Sequence, residues 1–126
     1  GITRVPRTPD YVRGVINLRG RVIPIVSLRK KFKMPAVVDT EKTCIIVVQV
    51  RYVDREITMG IIVDEVSEVL NIGDGQIEPP PSFGGGMEEA DFITGMGKLE
   101  NKVVILLDID RVMSGTEMEA VMQAAN

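Results

Sequence analysis

The chain of 126 residues has no histidine, no tryptophan, one cysteine and only five aromatic residues. Without histidine, a Ser-His or Cys-His nucleophile pair is impossible, and the commonest near-neutral base and metal ligand is missing. The single cysteine, Cys44, cannot form an internal disulfide. It lies in an apolar run, where a thiol usually packs in the core and is unreactive. The composition therefore predicts a non-enzymatic protein of the reducing cytoplasm, with no cofactor and no metal.

Long apolar runs are also missing. No segment approaches the roughly 20 apolar residues that a membrane-spanning helix needs, so direct membrane insertion is not expected. The length is that of one domain, and it is sufficient to bury a hydrophobic core.

Charge is divided unevenly along the chain. The first 33 residues carry nine basic side chains and one acidic one, a net charge of +8, whereas the remainder has a net charge of −11. The basic run at residues 29–33 raises the alternative of a small barrel that binds nucleic acid. The few aromatics for base stacking and the acidic remainder favour a solvated helix face instead, so we expect no nucleic-acid partner.

An internal repeat organises the chain. Residues 10–14 (DYVRG) recur as residues 91–95 (DFITG), and the offset of 81 also places Leu18 on Leu99 and Ser27 on Asp108. Each copy reads as a β-hairpin followed by a short helix: strands at 15–18 and 22–26 with Ser27 as N-cap, and strands at 92–99 and 103–107 with Asp108 as N-cap. Pro24 interrupts the first hairpin and predicts an exposed edge or bulge that a partner could contact.

The segments around the repeats complete the predicted organisation. Residues 43–50 and 57–63 form two apolar strands, the pattern extends through Val66, Val69, Leu70 and Ile72, and residues 76–90 form a loop rich in proline and glycine. Thr116 and Glu119 form a capping box for a helix over 116–125. We therefore expect a single domain, residues 1–126, in which 1–35 are the remnant of subdomain 1, 43–113 are mainly subdomain 2, and 116–125 are the C-terminal helix.

The repeat also predicts what precedes Gly1. A counterpart of the strand at Thr43 would lie before the first residue, so the opening strands of subdomain 1 are expected to be missing. Unpaired strand edges would then be covered by a partner or by strand exchange in a homo-oligomer.

Residues 8–29 (TPDYVRGVINLRGRVIPIVSLR) closely resemble the CheW-like domain of bacterial chemotaxis, as do residues 60–70 (GIIVDEVSEVL) and 104–109 (VILLDI). The resemblance implies a mainly β fold of two SH3-like small β-barrel subdomains around a shared hydrophobic core. It also implies a non-catalytic adaptor that couples the cytoplasmic tips of chemoreceptors to a chemotaxis histidine kinase, whose regulatory domain is a second partner. The alternative within this family is a CheW-like regulatory domain excised from a larger kinase or from a receiver-linked coupling protein.

The resemblance also assigns binding residues by position. Arg19 matches a receptor-contacting position, and Val69 matches an apolar position that faces the same groove. The full predicted receptor- and kinase-binding set is Arg19, Val69, Gly14, Asn17 and Gly20. Two departures are the missing opening strands, which usually contribute receptor contacts, and Ser27 in place of a common aspartate. Asp64, Glu65 and Glu68 lack the spacing of a metal-binding loop and are expected to be solvated.

Overall fold

The structure is a computed structural model that describes residues 1–79, 92–113 and 115–125. It is mainly β, and both predicted hairpins, the central strand pair and the C-terminal helix are present. The elements are β1 (Val12–Leu18), β2 (Arg21–Ser27), α1 (Leu28–Lys31), β3 (Cys44–Tyr52), β4 (Arg55–Val63), a 3-10 helix (Asp74–Gln76), β5 (Ile77–Glu78), β6 (Ile93–Leu99), β7 (Lys102–Leu107) and α2 (Gly115–Ala125).

The first sheet has four strands in the order β1-β2-β4-β3. Its hairpins β1–β2 and β3–β4 are antiparallel. They form one sheet because β2 pairs with β4 in parallel, with Ile25 opposite Gly60 and Ser27 opposite Ile62. The two central strands are buried over residues 23–27 of β2 and 59–62 of β4, which is why this part of β2 reads as a nearly continuous apolar run instead of an alternating one.

The two faces of this sheet hold different apolar residues. Ile23, Ile25 and Ile62 form a buried cluster with Ile2, Ile16 and Leu18 packed against it. Helix α2 packs on β1 and β2, and its Met118 and Val121 are buried. Burial of an isoleucine or methionine side chain contributes about 1.5–3 kcal/mol, so this sheet carries much of the fold's stability.

The second sheet, β5-β6-β7, repeats the geometry of the first hairpin. The β1–β2 pairing shifts register between Val12 and Gly14, and the β6–β7 pairing shifts between Ile93 and Gly95, 81 residues later. The Ser27 amide donates to the Tyr11 carbonyl at 2.8 Å, and the Asp108 amide donates to the Phe92 carbonyl at 2.7 Å. The repeat seen in the sequence is therefore confirmed at the level of bulges and hydrogen bonds.

The segment that pairs with the first strand of each hairpin, on the side away from its second strand, is also repeated. Thr3 bridges Val15 in the first unit, as Glu78 pairs with Met96 in the second. The preceding side chain, Ile2 or Ile77, lies against the bulge glycine in each case. Residues 1–5, which carried no predicted element, thus include the counterpart of β5.

The chain divides into two compact units at boundaries that differ from the predicted ones. One unit is Gly1–Ser67 with Gly115–Asn126, and the other is Glu68–Ser114. The predicted division placed residues 43–67 mainly with the second subdomain. They belong to the first unit because β4 pairs with β2, a parallel pairing between strands far apart in the sequence that local patterns do not reveal.

Three local predictions need correction. Pro24 is fully buried rather than exposed, although β4 pairs with β2 only from Ile25 onward. No short helix begins at Asp108: this residue instead caps a turn, where its Oδ1 accepts from the Asp110 amide at 3.0 Å, and residues 109–113 form turns and bends. The segment 65–72 is irregular rather than a continued strand. Most of the predicted loop at 76–90 lies outside the described residues.

Within the described part of the chain, no helix combines the length and apolar character needed to cross a bilayer.

Candidate functional site

The β1–β2 turn holds three of the five predicted binding residues. Leu18 pairs with Arg21, so Arg19 and Gly20 form a two-residue loop, and both have positive φ, 54° and 81°. This is the type I′ geometry whose twist matches that of the flanking strands. The Asn17 side chain holds the loop in place, because its Oδ1 accepts a hydrogen bond from the Gly20 amide at 2.9 Å.

Arg19 occupies this loop at a conformational cost. A left-handed backbone costs a residue with a Cβ atom roughly 1–2 kcal/mol, and glycine or asparagine would fit better. The Arg19 side chain is exposed, and it has no hydrogen bond or ion pair within the described residues. The turn therefore presents a guanidinium from a fixed backbone, ready to bind a carboxylate in bidentate fashion.

A second strained turn lies at the same end of the first sheet. Val53 joins β3 to β4 with φ 56° and is 74% exposed. A β-branched residue in the left-handed region is a genuine outlier. Because β2 and β4 are parallel, the turns that precede them share one end of the sheet, so an exposed cation and an exposed apolar side chain both project there.

Sequence reasoning missed Val53, which lies between the two strands predicted at 43–50 and 57–63. The available signal was a valine in a two-residue hairpin loop, where glycine, asparagine or aspartate is normal.

Gly14 has a structural role that its predicted binding role did not include. It is buried at the bulge of β1 with φ 143°, and a Cβ atom built there would overlap the Thr3 carbonyl. The residue is therefore required for the close approach of the first residues to β1. A role in partner binding stays a prediction.

Val69 belongs to the second unit, whereas the other four predicted residues belong to the first. Its side chain is 93% exposed, on an irregular segment between β4 and the 3-10 helix. Such exposure of a valine fits a contact residue, and its role also stays a prediction.

The acidic residues of segment 64–68 are used in ion pairs. Arg29 Nε lies 2.9 Å from Asp64 Oδ1 and 3.0 Å from Oδ2. Glu65 pairs with Lys42 and Glu68 with Lys102, each at 3.8 Å. Part of the basic run is occupied in the same way, since Arg29 is tied to Asp64 and the Lys31 ammonium lies 3.2 Å from Glu117.

Tyr11, which precedes β1, is the one described group with a clear perturbation. Burial raises the pKa of its phenol, and the nearby carboxylates Glu117 and Asp10 raise it further. All three causes disfavour the phenolate, so Tyr11 stays protonated at neutral pH.

Comparison with known proteins identifies the family. The model of the CheW-like domain matches residues 1–117. The chain belongs to this family. It is 39% identical over 120 residues to the chemotaxis protein CheW of Klebsiella aerogenes, covering 95% of this chain and 69% of that protein. It is 37% identical over 118 residues to the chemotaxis protein CheW of Rhizobium meliloti, covering 94% and 73%.

A solved structure of the CheW-like family supports the fold. The scaffolding protein TtCheW from Thermoanaerobacter tengcongensis superimposes with a TM-score of 0.77 at 33% sequence identity, covering 94% of this chain and 78% of that one. The predicted fold class, a mainly β protein of two small SH3-like subdomains, is thereby confirmed.

Proposed function

We propose that this CheW-like domain is a non-catalytic adaptor that couples the tips of chemoreceptors to a chemotaxis histidine kinase in the cytoplasm. The observation that carries the proposal is the match to chemotaxis CheW proteins over nearly the whole chain, at 39% and 37% identity for the two curated relatives described above. The name of the solved relative, a scaffolding protein, agrees with this role.

The turn end of the first sheet supports a receptor-facing role. A receptor tip is a helical hairpin, and an amphipathic helix that carries carboxylates needs a cation and apolar contacts from its partner. Arg19 offers the cation, with no competing partner among the described residues, and Val53 offers an apolar contact at the same end. Asn17 and Gly20 hold the loop that presents Arg19.

The second partner of the adaptor is the regulatory domain of the kinase. Val69 is assigned by the family resemblance to the receptor contact, like Arg19, and it is the most exposed large apolar side chain of the described residues. Substitution of Val69 by lysine should therefore weaken binding of a receptor-tip fragment, because docking would desolvate the lysine.

The test of the receptor surface is the charge reversal Arg19→Glu. We expect affinity for a receptor-tip fragment to fall on the order of tenfold or more, since an attraction becomes a repulsion. The matched control is Lys30→Glu, an equal charge change on α1, which begins where β2 ends and so lies away from the turns. Circular dichroism verifies the fold of both variants. Equal affinities for the two variants and the parent chain would refute the assigned surface.

Strand exchange between copies is a further assembly that we keep as a prediction. The unit available for exchange is the β3–β4 hairpin, which pairs with β2 of its own chain and could pair with β2 of another. Light scattering over a range of concentrations measures this, because exchange predicts a mass that rises in integral steps.

A further inference from the structure

The turn between β3 and β4 is strained at its first residue. The turn consists of Val53 and Asp54, and of these two only Val53 has a positive φ, 56°. A two-residue hairpin turn with positive φ at its first position alone favours glycine there, because a Cβ atom is crowded in that conformation. The Val53 side chain is 74% exposed, so packing within the described chain does little to offset the strain. This strain belongs to the turn backbone and does not depend on what covers the sheet.

The two hairpin turns of the first sheet project to nearly the same level. Strands β2 and β4 are parallel, and Ile25 lies opposite Gly60. Counting back from this pair toward the turns puts Arg19 level with Asp54, so the tips of the two turns differ by about one residue, roughly 3.3 Å. One flat partner surface can therefore contact both turns.

The spacing of the two turns suits an α-helix. The strand order β1-β2-β4-β3 puts the turn centres two strand spacings apart, about 10 Å. Two residues on one face of an α-helix that are seven positions apart are separated by about 10.5 Å along its axis. A helix that lies across both turns can therefore place one side chain on each.

The gap between the turns is not bridged by the backbone. The Ser27 amide donates to the Tyr11 carbonyl on the β1 side, so alternation along β2 places the nitrogen of Pro24 on the β4 side. This nitrogen has no hydrogen to donate, which favours ending the ladder between β2 and β4 at Ile25, where the pairing does end. Beyond that point each turn belongs to its own hairpin.

The charges at this end of the sheet favour an acidic partner. Arg21 and Arg55, the first residues of β2 and β4, are exposed, and neither has a hydrogen bond or ion pair among the described residues. The turns and the residues beside them, 19–21 and 51–56, carry four arginines and two acidic residues, a net charge of +2. Carboxylates around an apolar side chain would complement this surface.

We propose that Val53 is a specificity-determining contact, and that one acidic, amphipathic helix of the receptor tip lies across both turns, with a carboxylate on Arg19 and an apolar side chain on Val53. The two helix residues lie about seven positions apart, as the spacing of the turns requires. Contact with the helix removes the exposed valine from water, which is the stabilisation that glycine could not supply. The inference rests on the proposed function, because it takes the receptor tip as the partner.

The test is the substitution Val53→Gly, with the affinity of the full chain for a receptor-tip fragment measured by isothermal titration calorimetry. We expect binding to weaken on the order of tenfold, because the apolar contact is lost. The same variant should have a higher midpoint of urea unfolding, because glycine relieves the strain of the turn. Val53→Asn also removes the apolar side chain and gives the same binding test if Val53→Gly folds poorly.

Two further variants control for the loss of a valine as such. Val53→Ile keeps a β-branched apolar side chain in the turn and should bind like the parent chain. Val38→Gly removes a valine that is 86% exposed, from the irregular segment before β3, and β3 begins at the end of the sheet away from the turns. We expect it to leave the affinity unchanged.

The outcomes distinguish this inference from the proposed function. If Arg19→Glu weakens binding but Val53→Gly binds like the parent chain, the inference is overturned and the receptor surface at Arg19 stands. If neither substitution weakens binding, both are overturned. The inference also fails if Val53→Gly lowers the urea midpoint. It fails as well if Val53→Gly only dissociates a dimer of this chain, because a second copy would then be the occupant.

Discussion

The β1–β2 and β6–β7 hairpins share a register, a bulge and a closing hydrogen bond at an offset of 81 residues, yet they differ in their turns and their burial. The first turn carries Arg19 with positive φ, whereas neither Glu100 nor Asn101 of the second turn has one. The first hairpin is buried in a four-stranded sheet, and the second ends in an exposed strand. The shared features define the fold of this CheW-like domain, and the differences in turn conformation and burial predict different responses to substitution.

The largest expected effect comes from the unequal burial of the two hairpins. Ile25 is completely buried, and its counterpart Leu106 is half-buried. Truncation of a fully buried isoleucine costs about 2–5 kcal/mol, so Ile25→Ala should lower the free energy of unfolding by about 3 kcal/mol and Leu106→Ala by less than half of that. Urea unfolding followed by circular dichroism measures both. Equal losses would show that the hairpins are equally buried in solution.

The next largest difference in stability is expected at Gly14 and Gly95, the glycines of the two β-bulges. Gly14 has φ 143° and faces the Thr3 backbone, whereas a Cβ atom at Gly95 would meet the Ile77 Cγ2 atom at 2.9 Å and the Glu78 carbonyl oxygen at 3.0 Å. We expect Gly14→Ala to destabilise the chain by about 2–3 kcal/mol and Gly95→Ala by about 1 kcal/mol, because the Gly14 backbone is left-handed and its tightest contact is with backbone, whereas the tightest contact at Gly95 is with a side chain that can move. The same urea titrations apply, and the reverse order would contradict the geometry.

A smaller effect of opposite sign is expected at the strained turn. Arg19→Asn would create the Asn-Gly pair that a type I′ turn prefers, and it should raise the free energy of unfolding by about 0.5–1 kcal/mol. If the strain serves partner binding, the same variant should bind a receptor-tip fragment more weakly. Val53→Asn should also be stabilising, because asparagine adopts a positive φ at less cost than a β-branched residue does. A loss of stability in both variants would mean that neither turn is strained.

The smallest effect concerns Tyr11, whose repeat counterpart is Phe92 and cannot ionise. Folding raises the Tyr11 pKa above its ordinary value of 10.0, so the folded state favours the protonated form. The resulting stabilisation is fully present below pH 10 and is lost as the pH rises through the raised pKa. Tyr11→Phe should therefore flatten the decline of stability above pH 10 and change little at pH 7. An unchanged alkaline profile would refute this.

Much of this fold could be predicted from local patterns, because each hairpin carries its own signals. The apolar runs of β3 and β4, the Arg19-Gly20 turn and the Ser27 cap all depend on neighbouring residues, and the cap is confirmed by the bond from the Lys30 amide to Ser27 Oγ. Pairing between distant segments was harder to predict from the sequence. No local signal shows that β4 lies beside β2, so the unit boundary and the burial of Pro24 were predicted incorrectly.

The candidate site likewise has features that the sequence predicts and features that only the structure shows. Arg19 came from a family resemblance, and its fixed, strained backbone was visible only in the structure. The strain at Val53 and the exposure of β7 side chains depend on backbone angles and on packing, which composition and periodicity do not encode.

The account's central claim is that this CheW-like domain is an adaptor, which requires two partners to bind at once. The direct measurement is analytical ultracentrifugation of the full chain mixed with a receptor-tip fragment and the regulatory domain of the kinase. The account predicts a ternary complex, and it predicts that Arg19→Glu loses the receptor fragment while keeping the kinase domain. Competition of the two partners for one site, or binding of neither, would contradict it.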